Sequence, residues 1–320
     1  MTEFITQLND FSIQVFLLIS VIILKFSLAK FIDINPWFIF TLYCQKLANK
    51  VNKPQHSVKQ KQLSGFIAFI ITLFPVAIIL WLFGDFIVVT WLWHALLLFL
   101  ALGEFNLRES SQEIAHALTV KQKQLARATL APLVLRNVDT LSPMGLCKAT
   151  IEMQILRYAQ QYFMISCYFL FVNPLAALLV RLLLEMHYCW NRKQPSFNAF
   201  GQSIAITLAV LQWLPTRLLA FILMISNIGH HFIASLKNFA SAFFQPDNNI
   251  LLAIFSLSLD RQLGGVALYE QQKIRKVSFH STAETPSVED IIRTSIIIRQ
   301  INYFCISLLI IAAITSIYLY

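Results

Sequence analysis

The sequence is poor in charged residues, in glycine and in closely spaced cysteines. Only 13% of its 320 residues are charged, whereas a soluble domain carries about 25%. Because 57% of the residues are hydrophobic, too little polar surface remains to coat a soluble globule of this size, which excludes a disordered chain and a simple cytosolic enzyme. The 8 glycines and 10 prolines exclude a fibrous or low-complexity chain. The composition therefore predicts a polytopic membrane protein.

The usual sequence signatures of metal and nucleotide sites are also missing. The chain has no CxxC pair, and its one adjacent histidine pair, His230-His231, lacks an HExxH motif or a carboxylate at ligand spacing. No GxxxxGK[ST], GxGxxG or GxSxG motif is present. We therefore predict no metal site, and no cofactor is evident. The cysteines lie far apart, at Cys44, Cys147, Cys167, Cys189 and Cys305.

Six apolar runs have the length of membrane-spanning helices, which need about 20 mostly apolar residues. The second and third runs are separated by a short turn, so we predict that they form a helical hairpin. The expected fold class is an all-α polytopic membrane protein with about six transmembrane helices and amphipathic cytoplasmic helices, in a single domain over residues 1–320. The predicted spans are about 11–28, 63–83, 86–102, 162–186, 204–228 and 302–320.

The distribution of basic residues predicts the orientation of these spans. The net charge is +9, and Lys and Arg are concentrated in three segments, about 30–62, 104–161 and 229–301. The positive-inside rule makes these segments cytoplasmic in a multi-pass membrane protein. The basic residues are then expected to face anionic membrane lipid rather than nucleic acid. Both termini, and the loop with Arg192 and Lys193, fall outside.

The cytoplasmic segments have secondary-structure patterns of their own. Residues 101–130 are rich in helix formers and predict an extension of the third span. A further helix is expected over 140–158, capped by Thr140 or Ser142. Residues 262–286 predict a loop or a small strand pair, followed by a helix that starts at Val288 and is capped by Ser287.

Several charged residues lie at predicted membrane depth, where ionisable groups are costly. Arg181 and Glu185 are four residues apart on one helix face, so they are expected to pair or to reach the interface at a helix end. Arg217 closely follows Pro215, which favours a kink or a break in the helix. For Arg217 a structural role and the binding of an anionic or carbonyl group both remain open.

A second polar group lies in the cytoplasmic segment after residue 135. It contains Arg136, Asp139 and Thr140 just before a predicted helix, and Glu152 within that helix. Glu152 has the chemistry of a base or a metal ligand. The alternative is a solvated residue or an ion pair with Lys148, one turn earlier.

Taken in order, several segments of the chain resemble the CobD/CbiB family of membrane proteins in cobalamin biosynthesis. The resemblance covers most of the chain, and its order and spacing are more specific than any single piece. Asn137-Val138-Asp139-Thr140 is similar to the family's GRDT, and Ala149-Thr150-Ile151-Glu152 is similar to the start of its acidic signature. The other matching pieces are Leu125-Ala126-Arg127-Ala128, Phe200-Gly201, Trp213 to Leu218, Leu263-Gly264-Gly265 and Tyr269-Glu270.

The resemblance implies an activity and a set of site residues. The activity is formation of an amide between cobyric acid and aminopropanol or its phosphate, with Mg²⁺ if that activity is retained and a corrinoid as ligand. Asp139 and Glu152 are then the expected catalytic residues. The expected substrate-binding residues are Arg136, Thr140, Arg217, Gly264 and Gly265.

This chain departs from the family pattern at most of its acidic positions. The Asp-Gly pair falls on Gln160-Gln161, paired acids fall on Leu208-Ala209, and an Asn falls on Gln212. Because Mg²⁺ prefers hard oxygen ligands, we expect the site to hold it poorly and catalysis to be degenerate. The alternative is a non-enzymatic membrane regulator or scaffold similar to AmpE, in cell-wall or β-lactamase signalling, whose protein partner is unknown. A transporter is a third and less favoured alternative.

Overall fold

The computed structural model describes residues 10–28, 36–103, 107–226, 231–245, 248–269 and 272–319. These residues form thirteen α-helices and one antiparallel hairpin. The helices are α1 (Asp10–Leu28), α2 (Phe38–Val51), α3 (Val58–Gly84), α4 (Thr90–Ala101), α5 (Leu107–Thr119), α6 (Lys123–Leu130), α7 (Pro143–Arg157), α8 (Met164–Phe171), α9 (Pro174–Cys189), α10 (Gln202–Ser226), α11 (Phe232–Ala242), α12 (Asn249–Leu259) and α13 (Val288–Leu319). The strands are β1 (Leu263–Tyr269) and β2 (Gln272–Phe279).

The predicted all-α membrane fold is confirmed. Among the described residues, four helices are long and apolar enough to cross a bilayer: α1, α3, α10 and α13. Large apolar side chains remain exposed along α3, for example Ile67, Ile71 and Phe74. Such a surface is expected where a helix faces lipid rather than water.

The predicted fourth span is wrong, because it is two helices. α8 ends at Phe171 and α9 begins at Pro174. The Asn173 side chain accepts a hydrogen bond from the Ala176 N–H at 2.6 Å, as an N-cap does. Proline disfavours a helical conformation in the residue before it, so the Asn173-Pro174 pair starts a new helix.

The loop that follows α9 contacts α2 and the residue at its C-terminal end. The Trp190 indole N–H donates to the Cys44 carbonyl oxygen at 3.1 Å, and the Asn52 side chain donates to the Ser196 carbonyl oxygen at 2.9 Å. The loop with Arg192 therefore lies beside α2. The side of the membrane on which this loop lies stays a prediction.

The predicted hairpin of the second and third spans does not form. α4 packs against α9 and α1, while its described contact with α3 is confined to the turn, where the Phe83 and Trp93 rings lie 5.5 Å apart. The Lys25 ammonium donates to the carbonyl oxygens of Phe99 and Leu102. Lys25 thus closes the end of α4, as cations often do at helix C-termini.

The predicted helix over 101–130 is also interrupted. α4 ends at Ala101, and the Gly103 N–H donates to the Gln161 carbonyl oxygen at 3.0 Å. A second break follows α5, where Lys121 has a positive φ of 60°. Helix-forming composition over a long window did not reveal these turns, because the first depends on a contact with a distant helix.

Three further predictions are confirmed: the cap at the start of α7, the strand pair and the start of α13. The Ser142 side chain accepts from the Gly145 N–H at 3.1 Å and caps α7. α7 continues through a π-helical segment, Tyr158–Phe163, into α8. The predicted strand pair is β1 and β2, and α13 begins at Val288, after Ser287 donates to the Asp290 carboxylate. That helix continues into the predicted last span as one unit of 32 residues.

Buried apolar side chains form two clusters. The first cluster contains residues of α1, α2, α3, α4, α8, α9 and the first half of α10. The other joins α5, α6, α7, α12, the second half of α10 and the first half of α13. α7, the π-helical segment and α8 run from the second cluster into the first. The hairpin is anchored to the second cluster by Leu263.

Candidate functional site

Glu152 lies at the centre of a charged cluster between α7 and the hairpin. Its Oε2 is 3.3 Å from Nη2 of Arg136, which lies in the loop before α7. Its Oε1 accepts a hydrogen bond from the Gly264 N–H at 3.0 Å. Three residues that the sequence nominated separately are therefore brought together from three segments of the chain.

The two hairpin glycines are required by the backbone conformation. Gly264 has a φ of +76° and Gly265 a φ of +90°, in the region that side chains disfavour. A Cβ on Gly264 would lie 2.0 Å from the Val277 carbonyl oxygen, on the other strand. The irregular register between Gly264 and Val266 turns the Gly264 N–H towards Glu152.

Lys148 belongs to the same cluster, although the sequence suggested it only as an ion-pair partner of Glu152. The structure pairs Glu152 with Arg136 instead. The Lys148 Nζ lies 3.6 Å from the position that a Cβ on Gly265 would occupy. Burial lowers the pKa of Lys148; the positive charge of Arg136 acts in the same direction, and Glu152 opposes it.

The charges of this cluster give it an anion-binding character. Arg136 and Lys148 contribute two cations against the single carboxylate of Glu152, and both oxygens of that carboxylate are already engaged. Within the described residues, no carboxylate pairs with Lys148. Its half-buried ammonium lies beside Gly265, where it could donate charge-assisted hydrogen bonds to an anionic group.

Asp139 and Thr140 lie outside this cluster, on the exposed loop before α7. The Asp139 N–H donates to Oδ1 of Asn137 at 2.7 Å, which closes a local turn. Among the described contacts, neither residue bonds to Glu152. Their predicted catalytic and binding roles remain predictions.

Arg217 lies at a different place and closes the end of a helix. It donates to the carbonyl oxygens of Phe243 at 2.9 Å, Ala242 at 3.3 Å and Gln245, all at the C-terminal end of α11. α10 continues through Pro215, so of the predicted kink or break the break is not present, and the kink stays a prediction. These contacts favour the structural alternative for Arg217 over the binding of a substrate.

The predicted pair of Arg181 and Glu185 is confirmed, with a separation of 2.7 Å. Both residues are buried in α9, so the suggestion that they reach the interface is wrong. Nε and Nη1 of Arg181 have no hydrogen-bond partner among the described residues, and the guanidinium lies 5.9 Å from the Trp37 ring centre. A buried cation held by an acid and an aromatic ring stabilises the contact between α9 and the start of α2.

A chain of uncharged polar side chains crosses the helices at the π-helical segment, and sequence reasoning did not predict it. The Tyr188 hydroxyl donates to Gln160 at 3.0 Å and accepts from Gln161 at 3.4 Å. Gln160 and Asn248 each donate to Gln212 at 3.3 Å. Paired glutamines next to an apolar run were the available signal, because polar groups at such places are costly unless they are bonded.

Comparison with known proteins places the chain in a family. The family model described as CobD/Cbib protein matches residues 19–298, which is most of the chain. The chain belongs to the CobD/CbiB family. The predicted resemblance is confirmed, and within this CobD/CbiB protein the Arg136–Glu152–Gly264 cluster falls inside the matched region.

Three relatives are each named cobalamin biosynthesis protein CobD. The protein of Chromobacterium violaceum is 26% identical over 245 residues, which is 77% of either chain. That of Stutzerimonas stutzeri is 25% identical over 205 residues, 64% of this chain and 68% of its own. That of Leptospira interrogans is 23% identical over 220 residues, 67% of this chain and 68% of its own. No solved structure matches the chain.

Proposed function

We propose that this CobD/CbiB protein serves cobalamin biosynthesis by binding a corrinoid acid at the Arg136–Lys148–Glu152 cluster. The observation that carries the proposal is the convergence of Arg136, Lys148, Glu152 and the two hairpin glycines at one place. The family match and the names of the relatives support the pathway. The two cations supply the recognition of the anionic group, and Glu152 holds Arg136 and the hairpin in position.

The residues at this site do not fit Mg²⁺, which the family resemblance implies for amide synthesis. Mg²⁺ requires hard oxygen ligands in octahedral geometry. Glu152 already accepts from Arg136 and Gly264, and the amide oxygens of Gln160 and Gln212 already accept hydrogen bonds from neighbouring side chains. We therefore expect that amide synthesis is lost or far slower than the family's usual rate.

The proposal includes a location. The protein lies in the bacterial inner membrane, with its basic segments, the charged cluster among them, on the cytoplasmic side. Contact between the loop after α9 and α2 supports a cytoplasmic position for Arg192 as part of this proposal. Anionic lipid, not nucleic acid, is the partner proposed for the remaining basic surface.

Two assays of the intact protein test the two parts of the proposal, corrinoid binding and the loss of amide synthesis. Purified protein is titrated with cobyric acid and followed by visible absorbance, and the same gene is introduced into a strain that lacks its own CobD/CbiB protein. Binding without growth on cobyric acid supports the proposal. Robust growth would refute the loss of catalysis.

The alternative is a regulator or scaffold similar to AmpE. One observation favours it: Arg217 caps the end of α11. The segment Trp213 to Leu218 therefore has a structural role that requires no substrate. Absence of corrinoid binding together with absence of growth would overturn the corrinoid proposal and leave this alternative.

A further inference from the structure

The turn between α3 and α4 exposes an unusual amount of aromatic and apolar surface. Trp81 is 63% exposed, Phe86 82%, Val88 95% and Trp91 58%. Asp85 is the single charged residue between positions 81 and 93. A contiguous apolar patch of this kind is unfavourable in water and marks a surface that contacts another apolar phase.

An apolar groove lies within this turn. It has a volume of about 400 Å³ and is lined by apolar side chains, among them Phe83, Val88, Leu92, Trp93 and Leu96. Among the described residues that line it, the Trp93 indole N–H is the one side-chain hydrogen-bond donor. A polar substrate would therefore find few hydrogen-bond partners there, whereas a hydrocarbon chain would lose nothing on entering.

The position of the turn along the chain indicates which apolar phase covers it. α3 has 27 residues and is one of the four helices able to cross a bilayer, and the turn follows its end at Gly84. α4 has 12 residues and is about 18 Å long, too short to cross a core of about 30 Å. Phe83, near the end of α3, lines the groove, and α3 exposes apolar side chains along its length.

The two exposed tryptophans indicate how deep the α3–α4 turn lies in the bilayer. Its ring is apolar but carries one N–H donor, so it concentrates where the hydrocarbon meets the headgroups. Trp81 and Trp91 flank the turn, and Asp85 between them is exposed. We propose that the α3–α4 turn lies in the interfacial layer of the bilayer and that its groove holds the headgroup-proximal part of a phospholipid acyl chain.

Tryptophan fluorescence in liposomes of defined composition tests this proposal. The full-length protein and its Trp81→Phe/Trp91→Phe variant are reconstituted in phosphatidylcholine brominated either near the headgroup or near the methyl end of the chain. The fluorescence of the full-length protein minus that of the variant gives the emission of the two exposed indoles. We expect a larger loss of this difference signal with the headgroup-proximal bromines, and little loss with aqueous iodide.

A second variant reports the groove itself. Leu92→Trp in the Trp81→Phe/Trp91→Phe background places one indole in the groove, and it should show the same preference for headgroup-proximal bromines. Quenching by iodide with no effect of brominated lipid would overturn the proposal, because the turn would then face water. Protection from every quencher would also overturn it, since a second copy of the chain would then cover the turn. Stronger quenching by the methyl-end bromines would refute the interfacial depth.

Discussion

The Arg136 guanidinium lies 3.3 Å from the Glu152 carboxylate, with 9% and 6% of the two side chains exposed. Removing one partner of a buried ion pair leaves the other charge without compensation, which costs about 3–5 kcal/mol. Glu152 also accepts from the Gly264 N–H, so it joins the loop before α7 to the hairpin. The pair is thus both a support of the fold and a part of the proposed anion site.

Glu152→Ala is therefore expected to lower stability by about 3 kcal/mol or more, by loss of the pair and of the Gly264 bond. Glu152→Gln keeps an acceptor and should cost less. The measurement is thermal unfolding of the purified protein in detergent. Glu113→Ala, which removes an exposed acid of α5, is the matched control and should change the unfolding temperature little. Equal shifts for Glu152→Ala and the control would contradict a buried, stabilising pair.

The hairpin offers a comparison between neighbouring glycines. In Gly264→Ala the new Cβ would lie 2.0 Å from the Val277 carbonyl oxygen, at a φ of +76°. In Gly265→Ala the φ is also unfavourable, at +90°, but the nearest atom is the Lys148 Nζ at 3.6 Å. Both variants carry the strain of a positive φ, about 1–2 kcal/mol, and Gly264→Ala carries the clash in addition. We expect Gly264→Ala to be the less stable of the two in thermal unfolding, and the reverse order would contradict the clash with the Val277 carbonyl.

The pH dependence of corrinoid binding should follow Lys148. Burial lowers its pKa below the usual 10.5, so its positive charge is lost at a lower pH than that of an exposed lysine. An anionic ligand binds the protonated form, so affinity for cobyric acid should fall as pH rises through that lowered pKa. Stability has the opposite sign: the unfolded state holds more protons there, so stability rises with pH between the lowered pKa and 10.5.

Titration of cobyric acid binding at increasing pH is the measurement for this prediction. Lys148→Met should weaken binding at neutral pH, and Lys148→Arg should retain it and remove the decline, because arginine stays charged. Unchanged affinity in Lys148→Met would exclude Lys148 from the site while leaving Arg136 as the remaining cation.

The sequence predicted local features and missed those that depend on contacts between distant segments. The cap at Ser142, the strand pair and the start of α13 were predictable because each depends on neighbouring residues. The long apolar run from Tyr162 to Met186 concealed two helices, since hydropathy is insensitive to the turn at Asn173-Pro174. The ion pair of Glu152 with Lys148, which was one of the alternatives, is replaced by a pair with Arg136. Arg136 is sixteen positions before Glu152, and only the fold of the loop brings it within reach of that carboxylate.

Arg217 allows the structural and substrate-binding alternatives to be separated. Its guanidinium donates to carbonyl oxygens at the end of α11, and it lies 5.3 Å from the Trp213 ring centre. Arg217→Met should remove these bonds, leave carbonyl groups without donors, and lower stability by about 1–3 kcal/mol. Arg217→Lys keeps the charge but places all donors on one nitrogen, so its stability should lie between that of the wild type and that of Arg217→Met. The measurement is thermal unfolding together with cobyric acid titration below the unfolding temperature. A loss of stability with unchanged affinity for the folded protein is expected of a helix cap, whereas a loss of affinity at unchanged stability would assign Arg217 to the substrate.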